Sequence, residues 1–172
     1  MRKSLIRVKV QEVRDELHIG SIPVDIEDAA KCLGLSIVEK ELDDSVSGAL
    51  IAQKKIILVN SLHHEHRKRF TIAHEIGHFL LHSSLKQNIF IDESLTFYRS
   101  KKSSFGVYVD EVDANNFAAE LLMPEDYIKE YLDQNKVDIF DSFSIENLAA
   151  KFNVSQQAVA VRLQSLGLIS TL

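Results

Sequence analysis

Apolar positions along this chain recur with two periods, and the change from one to the other outlines the elements. Residues 4–18 show the three-to-four spacing of an amphipathic helix ending near Gly20. "IPVDIEDAAKCLG" predicts a second helix, with Asp25 as N-cap and Gly34 as the stop. "LSIVEKEL" has the short alternating look of a strand, and "GALIAQKKIILVN" reads as a hairpin, two apolar runs joined around Gln53-Lys54. Helical spacing returns over 64–82. Residues 83–109 show no clear period and hold serines, lysines and scattered aromatics, which predicts a long loop bordering a functional cleft. "DEVDANNFAAELL" is helical and stops at Met123-Pro124, "EDYIKEYLDQ" makes another helix, and two short helices close the chain with Ser144 and Ser155 as N-caps. The pattern is that of an α+β fold, mainly helical, with a small β-sheet ahead of the 64–82 helix.

That helix carries "RFTIAHEIGHFLLH". Arg67, Thr71, His74, His78 and His82 fall three or four apart and share one face, while Phe70, Ile72, Ala73, Ile76, Phe79, Leu80 and Leu81 occupy the rest. A helix this apolar has little reason to hold three imidazoles merely to satisfy them with hydrogen bonds, because buried polar groups are costly unless paired. Histidines at i and i+4 lie about 6 Å apart at Cβ and can converge on one ion. His-Glu-x-x-His on a helix is the pattern of zinc-dependent proteases, with two imidazole ligands and the glutamate as general base. Glu75 is turned about 100° from His74, so it can reach a water beside an ion rather than the ion itself.

A catalytic zinc normally takes three protein ligands and keeps one position open. His82 is eight residues beyond His74, about 12 Å along a straight helix, and is read as a supporting residue rather than a ligand. The later helix offers Glu111, Asp113 and Glu120. Glu111 and Asn115 are spaced i, i+4, which would let Glu111 bind the ion while Asn115 orients a neighbouring ligand.

Composition narrows the setting. The chain has 172 residues, 45% hydrophobic and 26% charged, with a net charge of −5, so it is long enough for one cored domain with a small appendage and lacks the basic balance of a nucleic-acid binder. A single cysteine, Cys32, leaves no intrachain disulfide and is expected as a small buried apolar residue. Charges at Arg7 and Lys9 interrupt the first apolar run, which is too short for a signal peptide, and no run approaches a membrane span. These features lead to the expectation of a cytoplasmic protein. "HHEHRKRF" places His63, His64 and His66 ahead of the site helix without one-face spacing, as a solvated first turn would.

"RFTIAHEIGHFLLH", followed by Glu111, Ala114, Asn115, Phe117, Ala118, Ala119 and "LLMP", resembles the ImmA/IrrE family of metallopeptidases over roughly residues 20–168. Asp113 stands where that family more usually has glutamate. The resemblance implies a gluzincin-like domain and a Zn2+-dependent endopeptidase with His74, His78 and Glu111 as ligands and Glu75 as base. It also implies a protein substrate, a helix-turn-helix transcriptional repressor of the XRE type whose cleavage relieves repression in a mobile element, phage or stress regulon. The expected organisation is a zinc metallopeptidase domain over 1–135 and a small helix-turn-helix-like module over 136–172 packed on it. In that module Ala149 lies inside the first helix, Asn153 at the turn and Val159 inside the second helix. The second helix carries one cation, Arg162, too few for phosphate contacts, so direct DNA binding is not expected. The competing expectation is a non-proteolytic regulatory module that grips a repressor or DNA through these helices. An intact Glu75 favours the peptidase, since a pure binder needs no base there. For the oxyanion-stabilising donor, Tyr98, Tyr108 and the histidines at 63–66 all stand open.

Overall fold

A computed structural model of the chain describes residues 2–82, 89–93, 105–135, 139 and 141–169. Among the described residues, seven helices accompany a four-stranded sheet, a mainly helical α+β fold. Helix α1 (Arg2–Glu16) buries Ile6, Val10 and Val13. Helix α2 (Ile26–Cys32) is capped by Asp25, whose carboxylate accepts the Asp28 N–H, and the chain leaves it through Gly34 at φ +74°. Strands β1 (Ser36–Lys40), β2 (Val46–Ile51) and β3 (Ile56–Asn60) follow, with a 3-10 turn over Ala52–Lys54 joining the β2–β3 hairpin. Helix α3 (Glu65–His82) comes next, then strand β4 (Ile89–Glu93) and helices α4 (Phe105–Leu122), α5 (Glu125–Asn135), α6 (Ser142–Phe152) and α7 (Gln156–Ser165).

The sheet order is β1-β3-β2-β4, with β1 parallel to β3 and the other pairs antiparallel. Asn60, fully buried at the end of β3, ties the sheet to the turns around it. Its amide donates to the carbonyls of Asp43 and Val46 and accepts from Leu62 N–H. The β2–β4 register shifts between Val46 and Gly48, a bulge at Ser47. At Gly48 a Cβ would lie 2.5 Å from both the Leu58 carbonyl oxygen and Thr71 Cγ2, so glycine is what lets β2 settle onto α3.

The structure corrects three expectations. Residues 83–109 are not one loop: Ile89–Glu93 form the edge strand β4, and α4 already begins at Phe105, while 83–88 and 94–104 lie outside the described residues. Five residues are too few for a period to stand out, and what makes them a strand is pairing with β2, far away in sequence. The α6 N-cap is Asp141, which accepts from both the backbone N–H and the hydroxyl of Ser144, so Ser144 sits inside the first turn; Ser155 does cap α7. Cys32 is exposed, because α2 buries Ile26, Ala29 and Ala30 and residue 32 is about 200° around from Ala30.

One hydrophobic cluster runs through the fold, from Ile6 of α1 through Ile57, Ile76 and Phe117 to Leu148, Phe152 and Leu163 of the last two helices. Arg162 of α7 is buried against it. Its guanidinium pairs with Glu120 of α4 and donates to the Met123 carbonyl at 3.0 Å. Among the described residues no helix is long and apolar enough to cross a membrane.

Candidate metal centre

Helix α3 lies between the sheet and α4, and each neighbour touches a different flank. Thr71 packs under Gly48 of β2 on one side. On the other, Gly77 meets α4 so closely that an added Cβ would stand 3.2 Å from Ala114 Cα, Ala114 O and Phe117 Cβ. With 100° per residue, the face bearing His74 and His78 falls between these two flanks. Helix α4 runs antiparallel to α3, bringing Asp110 to His82 and Asn115 to His74, with Glu111 between them.

The result is a tight, buried triad. His74 Nε2 and His78 Nε2 are 3.0 Å apart, Glu111 Oε2 is 3.2 Å from His74 Nε2, and Glu111 Oε1 is 3.3 Å from His78 Nε2. The exposures are 2%, 1% and 8% for His74, His78 and Glu111, and 0% for Glu75. The three groups can hold a metal ion together, and they are the only such group of three among the described residues. A triangle of this size has its corners within about 2 Å of a common point, the length of a zinc–imidazole or zinc–carboxylate bond.

The electrostatics suit a cation. Burial pushes the His78 imidazole below its usual range, and the neighbouring imidazoles of His74 and His82 push the same way against the attraction of Glu111. Burial alone would raise the Glu111 carboxyl, but hydrogen bonding and charge from His74 and His78 outweigh it and bring it to about 2. A neutral imidazole and an ionised carboxylate are the protonation states metal binding requires. His74 Nδ1 lies 3.0 Å from Asn115 Oδ1, so the asparagine accepts its N–H and leaves Nε2 as the donor atom facing the triad. The tautomer is assigned from this contact.

The remaining sequence candidates go elsewhere. Glu120 pairs with Arg162, and Asp113, although buried, is outside the triad. His82 is buried with Nδ1 3.5 Å from Asp110 Oδ1, one turn past His78 and apart from the three converging groups. His64 Nδ1 accepts the His66 N–H at the start of α3, a local turn contact. Tyr98 and the side chain of Tyr108 lie outside the described residues. Two features of α3 escaped sequence reasoning. Arg69 is half-buried, and its guanidinium donates to the carbonyls of Val24 and Asn153. Arg67 is held on Ser47, a contact made by the β2 bulge, which no local pattern announces.

Comparisons with known proteins give the chain a family and relatives. The family described as the IrrE N-terminal-like domain, Peptidase_M78, matches residues 30–164. "Uncharacterized immunity region protein 2" of Bacillus phage phi105 is 26% identical over 146 residues, covering 84% of this chain and 83% of that protein. "Radiation response metalloprotease IrrE" of Deinococcus radiodurans is 36% identical over 87 residues, covering 51% of this chain but only 25% of that protein. A solved structure titled "Mycobacterium tuberculosis transcriptional regulator" shares the fold at TM-score 0.65 and 19% identity, over 92% of this chain and 46% of that one.

Proposed function

The chain belongs to the metallopeptidase family of IrrE N-terminal-like domains, and from that premise we propose that it is a zinc-dependent endopeptidase that cleaves a helix-turn-helix repressor of the XRE type. In this reading His74, His78 and Glu111 hold the ion, Glu75 is the general base, Asn115 orients His74, and His82 with Asp110 supports the far end of the site. The convergence of two imidazoles and a carboxylate from separate helices on one point, with Glu75 buried on the same turn as the imidazoles, is the observation that carries it. Two nitrogen donors and one oxygen donor suit zinc.

Held by His74, His78 and Glu111, zinc would supply Lewis acidity, polarising a peptide carbonyl and lowering the pKa of a water toward neutrality. The protein's own part is proton handling and alignment. Glu75 stands about 100° around the helix from His74, toward Thr71 and the sheet. Its carboxylate takes the proton of the attacking water and returns it to the leaving amine. Asn115 holds one tautomer of His74, and the close α3–α4 crossing at Gly77 keeps Glu111 in reach.

The repressor as substrate is supported by the phage immunity-region relative and by the radiation-response metalloprotease. The chain spans only a quarter of the latter, so its wider activity is carried over here as proposal alone. A peptidase domain over 1–135 with a helix-turn-helix-like module over 136–172 remains the proposed organisation. Arg162, the only cation of α7, is buried with Glu120. That favours a module that packs or docks on protein over one that reads DNA.

The test is Glu75→Gln, assayed with zinc and with the XRE-type regulator encoded nearest to this protein's own gene. The amide keeps the shape but cannot accept a proton at neutral pH. Zinc content and melting should match the wild type while cleavage falls by about 10²- to 10⁴-fold. Cellular derepression at the wild-type level by Glu75→Gln would replace the peptidase with a non-proteolytic binding module.

A further inference from the structure

Arg67 stands on the face of α3 that bears His74 and His78 of the triad. It precedes His74 by seven residues and His78 by eleven, so at 100° per residue it lies within about 20° of both around α3. It is part-buried, yet among the described residues it forms no ion pair. Its contact is with one neutral group: Nε and Nη2 donate to Ser47 Oγ at 3.3 and 3.1 Å. A guanidinium has five N–H donors, so most remain without a protein acceptor among the described residues.

The contact with Ser47 is built by the bulge in β2. Neighbouring residues of a regular strand point to opposite faces. Here Gly48 faces α3 at Thr71, and Ser47 would point away were it not the extra residue at the register shift. The bulge turns its hydroxyl onto Arg67. Every other arginine whose contacts the structure gives in the buried parts of the fold is tied to carbonyls or carboxylates: Arg14 to the Ile19 carbonyl, Arg69 to two carbonyls, Arg162 to Glu120 and a carbonyl. Arg67 alone among these is braced at its edge by a hydroxyl rather than by a carbonyl or carboxylate.

We propose that Arg67 is a specificity-determining residue that receives an aspartate or glutamate side chain of the polypeptide substrate. The inference rests on the peptidase reading above. Nine residues of α3 separate Arg67 from the midpoint of the two histidines, about 13 Å of helix. An extended peptide advances about 3.3 Å per residue, which puts the acidic residue about four positions from the scissile bond. A planar fork already fixed on one edge loses little freedom on meeting a carboxylate, and the pair can form two parallel hydrogen bonds.

The probe is a diversified library of synthetic tetradecapeptides, digested by the zinc-loaded full chain and read by mass spectrometry. Wild type should select Asp or Glu at one position about four residues from the cut, with kcat/KM about ten- to a hundredfold above the Gln or Asn counterpart. Arg67→Gln should abolish that selection without changing cleavage of neutral peptides, Arg67→Glu should turn it toward Lys or Arg, and Ser47→Ala should keep it. Arg67→Lys, which retains the charge, guards against a folding defect and should keep the acidic preference in weakened form. Absence of an acidic preference in the wild type, its persistence in Arg67→Gln, or its loss in a normally folded Arg67→Lys would overturn the inference and leave the peptidase standing. So would an equal loss on acidic and neutral peptides in both Arg67→Gln and Ser47→Ala, which would make the arginine a brace for the bulge. No cleavage of any peptide by the wild type would remove the peptidase reading and this inference with it.

Discussion

Gly77→Ala probes the crossing that brings together the two helices bearing His74, His78 and Glu111. The new methyl would lie 3.2 Å from Ala114 Cα, Ala114 O and Phe117 Cβ. None of these atoms ends a flexible side chain, so none can rotate aside. Relief must come from α4 retreating by a few tenths of an ångström. Two terms oppose each other in stability: alanine gains about 0.5–1 kcal/mol over glycine inside a helix, whereas overpacking costs about 1–3 kcal/mol. The net expectation is a loss of up to roughly 2 kcal/mol, read as a lower urea midpoint in metal-free protein. The larger effect should fall on the metal. Glu111 is one turn from Ala114 on the same helix, and metal–ligand distances tolerate only about ±0.2 Å. Zinc affinity, measured by competition with a chromophoric chelator, should fall by about ten- to a hundredfold, in the range seen when a ligand's support is lost. Unchanged affinity together with equal or greater stability would show that α4 does not set the Glu111 position, and the account of the crossing would be wrong.

Three other outcomes are expected. Asn115→Ala removes the acceptor at His74 Nδ1 and should weaken zinc binding by about ten- to a hundredfold while circular dichroism stays unchanged. Arg162→Met strands the buried Glu120 and the Met123 carbonyl, so chemical denaturation should report a loss of about 3–5 kcal/mol, and Glu120→Leu added to it should recover part of that loss. In metal-free protein His78 has its folded pKa below the unfolded value of 6.5, so the unfolded chain binds more protons below that value. The stability it contributes is complete above 6.5 and is lost as pH falls from there toward its folded value. Glu111, at 4.5 unfolded and about 2 folded, acts in the same direction lower down. A urea midpoint that rises on acidification from neutrality would contradict both.

Much of the site was legible because helical spacing is local information. His74, His78 and Glu75 are ordered by a single helix, and the i, i+4 step from Glu111 to Asn115 is another local pattern; both pairs sit on α3 and α4 as that spacing requires. The caps at Asp25 and Ser155 were legible for the same reason. What escaped was set by distant partners. Strand β4 exists through pairing with β2, and β1 joins β3 in parallel, a choice that no feature of "SIVEK" dictates. Arg69 depends on carbonyls 45 and 84 residues away in the chain. Asp141 displaces Ser144 as cap because a carboxylate three residues earlier can reach both the N–H and the hydroxyl of that serine.

The inward turn of Arg162 has a consequence for how any partner of the last helix is held. Helix α7 shows solvent Gln156, Gln157, Val161 and Ser165, and its one charge is neutralised inside by Glu120. Attraction to a polyanion releases condensed counterions, and its strength falls steeply with added salt, by about one power of salt concentration for each phosphate neutralised. The helix itself contributes no cation to such release, and Lys3 reaches only its C-terminal end, at the Ser165 carbonyl. Complexes formed on the solvent face of α7 should therefore owe their strength mainly to shape and hydrogen bonds, and their lifetimes should change only weakly between dilute buffer and the ionic strength of a crowded cell.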